Sequence, residues 1–338
     1  MRFPILLAAA LLLLAGCEKP MRQTASDTPR LDMARLDKEI GAIADRARPG
    51  VLGVGLMNLE SGETWLFNGD LRFPMQSVFK APLGAAVLGE VDAGRLGLDQ
   101  VVSIEEKDIS PAHSPIADAW PARRDYTVRE LLVAAVGGSD NTAADVLMKL
   151  IGGPGAVTTW LADHHVNQIR IDRYERELQP QSVGLDSFRI AWKGDEAYRA
   201  AMDAVPPAER RAAMNAYLTD DRDTASPRGI LTYFYVLDQE RLLSPASLAL
   251  LMKIMTETQT GAERLKAGFP PGSAFAHKTG ASRTDLGVNL ATNDIGIVTL
   301  PDGRRYAVAV FLKGATLDGP GREAIHADVA RAITRGVR

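Results

Sequence analysis

The sequence lacks several features that define large classes of protein. It has one cysteine, Cys17, so no disulfide can form within the chain. Its five histidines show no zinc-ligand spacing, which argues against a metal site, and no cofactor motif is present. A net charge of −3 over 338 residues gives no electrostatic basis for nucleic-acid binding. What remains is an ordinary globular composition, 46% hydrophobic and 24% charged, long enough for a large core.

The only long hydrophobic run lies at the N-terminus. It covers residues 3–15 after Arg2, too short to span a membrane as a helix but right for the apolar part of a signal peptide. It ends in LAGC at positions 14–17, which resembles the bacterial lipobox. We therefore expect a signal peptide at 1–16, lipidation of Cys17, and a polar tether over 17–30. The protein would face the periplasm, anchored by lipid to a bacterial membrane, the outer rather than the inner.

The remaining chain has strands at both ends and helices between. The patterns predict helices at 31–47, 77–91, 128–136, 142–151, 245–258 and 321–335, and strands at 51–58, 64–67, 274–278, 288–300 and 305–313. Strands from both chain ends would meet in one five-stranded antiparallel sheet, a lobe of residues 31–70 and 270–338. Residues 71–269 would form a helical lobe. This is an α+β fold, with a cleft between two lobes as a natural site.

Ser77 and Lys80 lie three residues apart at the start of a predicted helix. At that spacing two side chains share a helix face, with Cβ atoms about 5–6 Å apart. The lysine amine is then within reach of the serine hydroxyl proton, and the helix start favours developing negative charge. Alone the pattern is weak, since about one match is expected by chance in a chain of this composition.

Two further motifs make a chance match of Ser77 and Lys80 less plausible. Ser139-Asp140-Asn141 connects two predicted helices, and Lys278-Thr279-Gly280 ends a predicted strand. These three motifs, in this order, are the signature of class A β-lactamases and penicillin-binding proteins. From about residue 31 onward the chain resembles the class A serine β-lactamases. The resemblance implies a serine β-lactamase/D,D-peptidase-like fold, hydrolysis of penicillins and/or cephalosporins, and no cofactor. We expect a monomer.

A fourth stretch resembles the family's omega loop, at about 170–227. It would place the deacylating glutamate at Glu175, with Arg173 paired to Asp223 across the loop.

The resemblance also implies roles in the reaction. Ser77 would attack the lactam carbonyl, after Lys80, or Glu175 through a water, removes its proton; the choice between these bases stays open. The backbone N–H groups of Ser77 and Ala281 would hold the oxyanion. Ser139 and Lys278 would pass a proton to the lactam nitrogen.

Substrate binding is implied for further residues. Asn141 would hold the side-chain amide of the substrate and orient Lys80. Thr279 would bind the substrate carboxylate, and the adjacent Gly280 would also lie in the substrate-binding site. Arg264 is equally consistent with a second residue that binds the substrate carboxylate and with an ordinary surface arginine. Arg283 is another candidate for binding that carboxylate. His113 lies where the family often has an aromatic residue at the cleft mouth, or it has no catalytic role.

Some details are specific to this chain. His277 and the segment ATND at 291–294 look most like the subgroup that includes PER-type extended-spectrum enzymes. Gln179 occupies the place of an asparagine that helps to hold the hydrolytic water, and offers the same amide on a longer arm. An insertion at about 180–222 predicts two helices, at 195–205 and 207–218. It would roof or widen the site, or else be a surface addition far from the substrate.

Two alternative functions remain. A D,D-peptidase or slow penicillin-binding protein would share the acylation residues but lack efficient deacylation, which makes Glu175 the discriminating residue. A non-catalytic binding lipoprotein would have degraded motifs, and these are intact. A metallo-β-lactamase is excluded by the histidine pattern.

Overall fold

The computed structural model describes residues 30–337. The predicted signal peptide, the predicted lipidation of Cys17 and the predicted tether up to residue 29 lie outside the described residues. Among residues 30–337, no helix combines the length and the apolar character needed to span a membrane.

The main sheet joins strands from both ends of the chain, as predicted. The strands are β1 Val51–Asn58, β2 Thr64–Phe67, β3 Phe73–Pro74, β4 Val101–Ser103, β5 Asp125–Thr127, β6 Thr224–Ala225, β7 Ala274–Ala281, β8 Thr284–Asp285, β9 Val288–Thr299 and β10 Arg305–Ala315. Five of them form an antiparallel sheet in the order β2-β1-β10-β9-β7. The short β8 pairs with β9 as a sixth strand, which was not predicted.

Helices fill the middle of the chain and flank the sheet. They are α1 Met33–Arg46, α2 Lys80–Asp92, α3 Pro115–Ala119, α4 Val128–Leu132, α5 Asn141–Leu150, α6 Pro154–Asp163, α7 Glu175–Gln181, α8 Asp195–Asp203, α9 Pro207–Thr219, α10 Pro227–Asp238, α11 Pro245–Thr256, α12 Leu265–Gly268 and α13 Gly319–Gly336. Helix α4 begins with a capping box, in which Thr127 and Glu130 cap each other.

Both faces of the sheet are buried. On one face Leu52, Val54 and Leu56 of β1 pack in a cluster that also contains residues of α1 and α13. On the other face Gly53 and Gly55 leave space for Phe73 and Leu231, which a Cβ at either glycine would meet. The alternation is that expected of a strand covered on both sides. The sheet is therefore held between a layer formed by the chain ends and the helical lobe.

Helix α2 runs through the centre of the helical lobe. Residues 80–88 are all buried, as expected of a helix that is apolar around its whole circumference. A 3₁₀ turn, Gln76–Phe79, leads into it and packs against β7. The junction of the two lobes thus lies at the start of α2.

The insertion is folded and packs on the body of the protein. Tyr198 and Met202 of α8 are buried in the core cluster of the helical lobe. Met214 and Tyr217 of α9 form a smaller cluster with Leu178 and Leu290. The insertion therefore packs on the helical lobe through α8, and on α7 of the omega loop and strand β9 through α9.

Candidate active site

Ser77 lies in the 3₁₀ turn and borders the cleft, while α2 begins three residues later at Lys80. The predicted helix start is therefore displaced, but the pairing survives because a tight turn also brings i and i+3 together. Lys80 Nζ donates to Ser77 Oγ at 3.0 Å. Gln76, just before the serine, has φ of +46°, a conformation uncommon for a residue other than glycine.

Lys80 is fully buried among acceptors. Its Nζ also donates to the Ser139 carbonyl oxygen at 2.9 Å and to Asn141 Oδ1. With Ser77 these acceptors use all three N–H groups of an ammonium. Glu175 Oε1 lies 3.2 Å from the same Nζ but accepts no hydrogen bond within the described residues. This buried oxygen therefore experiences the lysine charge and keeps its lone pairs for another donor.

Glu175 is the first residue of α7, and its carboxylate and backbone are held separately. Gln179 Nε2 donates to Oε2 at 2.8 Å, which is the reach expected of the longer glutamine arm. The backbone N–H groups of Glu175 and Arg176 donate to Asp145 at 2.7 and 3.0 Å. Gln179 thus orients the side chain, and Asp145 fixes the backbone that carries it.

Asp145 contacts the omega loop, a role that its place in the sequence did not predict. It is a buried carboxylate on α5 that also accepts a hydrogen bond from Ser110. Burial, with the nearby charge of Glu175, raises its pKa to about 7 despite three donors. Its only sequence signal was its position just after the Ser139-Asp140-Asn141 motif, which indicates a place on α5 but not a contact with the omega loop.

The omega loop is closed at its base by an ion pair. Arg173 Nε donates to Asp223 Oδ2 at 2.6 Å, and the other oxygen of Asp223 accepts from the backbone N–H groups of Asp172 and Arg173 at 2.8 and 3.0 Å. Both side chains of the pair are buried. Arg173 and Asp223 therefore lie where the family resemblance places them.

Ser139 and Lys278 meet across the cleft from the two lobes. Lys278 Nζ donates to Ser139 Oγ at 3.0 Å and to the Thr279 carbonyl at 2.9 Å. Burial, then the charges of Lys80 and Arg264, lowers the pKa of Lys278 well below its usual value. Ser139 itself has φ of +62°. The arrangement links a buried amine to a hydroxyl that lines the cleft.

Strand β7 continues past Lys278 to Ala281, so the motif lies within the strand and not at its end. Gly280 permits a close approach to the 3₁₀ turn. A Cβ there would come within 2.6 Å of the Met75 carbonyl oxygen and 3.1 Å of the Ser77 nitrogen. The absence of a side chain thus brings the strand carrying Ala281 beside the backbone of Ser77.

The remaining predicted binding residues line the same cleft. Thr279 Oγ1 donates to Thr260 at 2.8 Å. Arg264 is half-buried and donates to the carbonyls of Asn293 and Gly280, at 2.9 and 3.3 Å, so it is held against β7. Arg283 is exposed at the rim. A surface arginine away from the cleft is therefore the wrong description of Arg264.

Asn141 and His113 make contacts at the opposite wall. Asn141 donates one amide hydrogen to the Pro111 carbonyl at 2.8 Å, which leaves the second available to a ligand. His113 is exposed, with Nε2 2.9 Å from the Gly138 carbonyl oxygen.

Sequence reasoning missed the residues that the insertion brings to the cleft. Tyr198, Met202 and Met214 line it together with Ser77 and Gln179. The helical spacing of Tyr198 and Met202 was the available signal, but spacing does not show which surface these side chains will meet. No cluster of His, Cys, Asp or Glu suited to a metal ion occurs among residues 30–337.

Comparisons with known proteins agree with this geometry. The sequence model of the beta-lactamase enzyme family matches residues 35–337. The chain is 33% identical to beta-lactamase VEB-1 of Pseudomonas aeruginosa over 287 residues, 85% of each chain. It is 35% identical to extended-spectrum beta-lactamase PER-1 of the same organism, over 84% of this chain and 82% of that protein.

Solved structures give the same result. A beta-lactamase from Chitinophaga pinensis matches with a TM-score of 0.73 at 36% identity, covering 88% of this chain and 97% of that one. The class A beta-lactamase of the last common ancestor of Gram-negative bacteria matches with a TM-score of 0.72 at 32% identity, covering 89% of this chain and 98% of that one. The predicted fold class and PER-like resemblance are confirmed, and the chain belongs to the beta-lactamase enzyme family, among the class A serine enzymes.

Proposed function

We propose that this β-lactamase opens the lactam ring through an acyl-enzyme on Ser77 and hydrolyses it with a water activated by Glu175. Hydrolysis of the β-lactam amide bond follows from the family. The observation that carries the residue assignment is the position of Lys80 Nζ, 3.0 Å from Ser77 Oγ and 3.2 Å from Glu175 Oε1. The buried Lys80 cation therefore lies between the Ser77 hydroxyl and the Glu175 carboxylate.

In acylation, Ser77 Oγ bonds to the lactam carbonyl carbon as its proton leaves. Two routes lead that proton away: directly to Lys80 when its amine is neutral, or, when Lys80 is an ammonium that donates to its three acceptors, through a water to Glu175. The N–H groups of Ser77 and Ala281 stabilise the oxyanion, which Gly280 allows by its close approach.

When the C–N bond breaks, the lactam nitrogen takes up a proton. Ser139 Oγ supplies it and takes a proton in turn from the Lys278 ammonium at 3.0 Å, which is left as a neutral amine. The lowered pKa of Lys278 suits this role because the amine then exchanges its proton more readily near neutral pH.

In deacylation, the water oxygen bonds to the ester carbon as Glu175 Oε1 takes a proton from that water. The ester C–O bond then breaks, Ser77 Oγ takes a proton from Lys80 at 3.0 Å, and Glu175 returns its proton to Lys80 at 3.2 Å. Oε1 suits this role because it is buried and accepts no hydrogen bond from residues 30–337. Gln179 holds Oε2 and keeps the carboxylate oriented.

We expect Thr279 and Arg264 to bind the substrate carboxylate, and the free amide hydrogen of Asn141 to bind the side-chain amide. These groups face one another across the cleft that contains Ser77.

The deciding experiment compares a penicillin and an oxyimino-cephalosporin with the wild type and Glu175→Ala. We expect the wild type to turn over at least one of them. The variant should give a burst of one equivalent and then turn over about 10²–10⁴-fold more slowly, the usual contribution of a positioned base. Normal deacylation by the variant would contradict the assignment of Glu175. A stable acyl-enzyme in the wild type would favour the D,D-peptidase alternative.

We also propose lipid anchoring through Cys17 on the periplasmic side of a bacterial membrane, and a monomeric enzyme. The lipobox-like LAGC and the polar tether support the anchor. Cys17→Ala should abolish labelling with a radioactive fatty acid and leave the protein at the larger mass of the uncleaved precursor; labelling that persists in the variant would contradict the anchor. Light scattering on the protein without residues 1–29 tests the monomer.

A further inference from the structure

The insertion reaches the catalytic carboxylate through a chain of hydrogen bonds. The hydroxyl of Tyr217, on α9, accepts from Gln76 Nε2 at 2.7 Å. Gln76 Oε1 accepts from Gln179 Nε2 at 3.0 Å, and Gln179 Nε2 donates to Glu175 Oε2 at 2.8 Å. Tyr217 lies 141 residues after Gln76, so the insertion provides one end of the chain and the turn before Ser77 its middle.

The direction of these hydrogen bonds, from donor to acceptor, is fixed at the Glu175 end of the series. Gln179 has two amide hydrogens, and both are used, one on Glu175 and one on Gln76. Gln76 must then present its carbonyl oxygen to Gln179 and its NH₂ group to Tyr217. If the Gln76 amide flipped, its NH₂ group would face the NH₂ group of Gln179. Flipping the Gln179 amide as well would remove that clash, but it would place the Gln179 oxygen against the Glu175 carboxylate.

Burial makes the direction of these hydrogen bonds hard to change. Gln76 is 2%, Tyr217 5% and Glu175 1% exposed, so water has little access with which to replace a lost partner. Burial also raises the pKa of Tyr217 well above its usual value, which keeps the phenol neutral. The ring lies 6.0 Å from the Arg173 guanidinium, so α9 packs over the base of the omega loop.

We propose that Tyr217, acting through Gln76 and Gln179, is a positioning residue for deacylation; the proposal rests on the role of Glu175 proposed above. Tyr217 holds the carbonyl of Gln76 toward Gln179, which keeps the Gln179 amide nitrogen directed at Glu175. Tyr217 touches neither substrate nor the reacting atoms. The longer glutamine arm carries one more rotatable bond than asparagine, and this chain immobilises it.

The test is Tyr217→Phe, which removes one oxygen and keeps the packed ring. Acylation is followed by stopped flow with nitrocefin, and decay of the acyl-enzyme by mass spectrometry with a slower oxyimino-cephalosporin. We expect the deacylation rate constant to fall about tenfold, the effect of one buried hydrogen bond, and the acylation rate constant to stay within about twofold. A merely structural role would lower the burst amplitude and leave both rate constants unchanged, which would overturn the proposal.

Tyr306→Phe is the matched control. Tyr306 is also buried, and its hydroxyl accepts a hydrogen bond from Arg304, but it lies on the sheet face away from the cleft. Deacylation that slows equally in both variants would contradict a specific role for Tyr217. Should Tyr217→Phe fail to fold, Gln76→Asn breaks the same chain with a shorter amide that tolerates positive φ.

A double-mutant cycle tests the route. In a Gln179→Ala background Tyr217→Phe should change deacylation by less than about twofold, because the group through which it acts is absent. Independent, additive effects would overturn the proposed route. Glu175→Ala separates the two hypotheses: if it traps the acyl-enzyme while Tyr217→Phe behaves as the wild type, only the positioning role fails. If Glu175→Ala deacylates normally, the proposed function fails first.

Discussion

The two oxygens of the Glu175 carboxylate have different environments. Oε2 is held by Gln179, and Oε1 is close to the Lys80 charge but accepts no hydrogen bond from residues 30–337. A single side chain is thus both fixed and available as a base. This difference between the two oxygens depends on Lys80, because its three N–H groups donate to acceptors other than Glu175.

Gly280 is the residue at which a single methyl group should be most damaging to acylation. In Gly280→Ala the new Cβ meets backbone atoms, which cannot give way as a flexible side chain does. We expect the acylation rate constant to fall by more than about tenfold, as when an oxyanion donor is displaced. Gly41→Ala is the control, since nothing lies within 4 Å of that Cβ, and it should keep full activity. Wild-type acylation by Gly280→Ala would contradict the close approach.

Asp145 should give stability a distinctive pH dependence. Its pKa is raised from 3.8 to about 7 in the folded protein, so between these values the folded state holds a proton that the unfolded chain has lost. Its contribution is therefore favourable at low pH and declines as pH rises through this window. Urea unfolding should show Asp145→Asn gaining stability relative to the wild type from about pH 4 to pH 7.

The free energies of unfolding of Asp145→Asn and the wild type must be compared at each pH. Burial lowers the pKa of His326 to about 4, which makes stability rise with pH over much of the same window, in both proteins alike. Asp99→Asn, at a side chain 93% exposed, is the control. Parallel stability curves for Asp145→Asn and the wild type would contradict the raised pKa.

At the scale of elements, α9 links the omega loop to the sheet edge. Arg210 contacts Asp203 of α8 and Asp285 of β8, at 3.0 and 3.4 Å, and Arg211 donates to the Leu286 carbonyl at 3.0 Å. Helix α9 thus joins the two helices of the insertion to each other and attaches them to β8 at the edge of the sheet.

Arg210→Met should loosen this connection. Arg210 is largely buried, so we expect the free energy of unfolding to fall by about 1–3 kcal/mol, the range for charged hydrogen bonds. Limited proteolysis should cut within residues 183–222 first. Arg222→Ala is the control, because that arginine is half-exposed and exposed pairs contribute about 0–1 kcal/mol. Equal losses in the two variants would show that the α9 contacts are not special.

The elements were largely predictable from sequence, and their meeting points were not. Strands β1 and β2 match their predicted bounds because a turn at Ser61-Gly62 separates two clear strand patterns. The residues proposed to be catalytic were identified from motifs whose spacing reflects local geometry. Tyr217 and Asp145 were not, because their contacts with Gln76 and Glu175 join distant segments and carry no local pattern.

At the scale of the whole molecule, the chain ends hold each other in place. Leu31 forms a β-bridge with Val337, and the Asp32 N–H donates to the Gly336 carbonyl at 2.7 Å. Leu36 of α1 is fully buried against Gly336, where an added Cβ would lie 2.6 Å from its side chain.

Leu36→Ala should therefore weaken the whole fold without touching the cleft. We expect a loss of about 2–5 kcal/mol in urea unfolding, typical of a buried leucine, with unchanged turnover per folded molecule. Met33→Ala on the same helix, 38% exposed, is the control and should cost less than about 1 kcal/mol. An equal cost for both would mean that α1 does not close the fold.

The pairing of chain ends also sets an order of events during synthesis. Strand β1 is made early but pairs with β10, and β7, which carries Lys278, pairs with β9. The sheet therefore assembles only when nearly the entire polypeptide is available, and such non-local pairing is slow. A nascent chain emerging from the ribosome would hold Ser77 and Lys80 without the strand that faces them, and so would have no hydrolytic activity until its last helix is made.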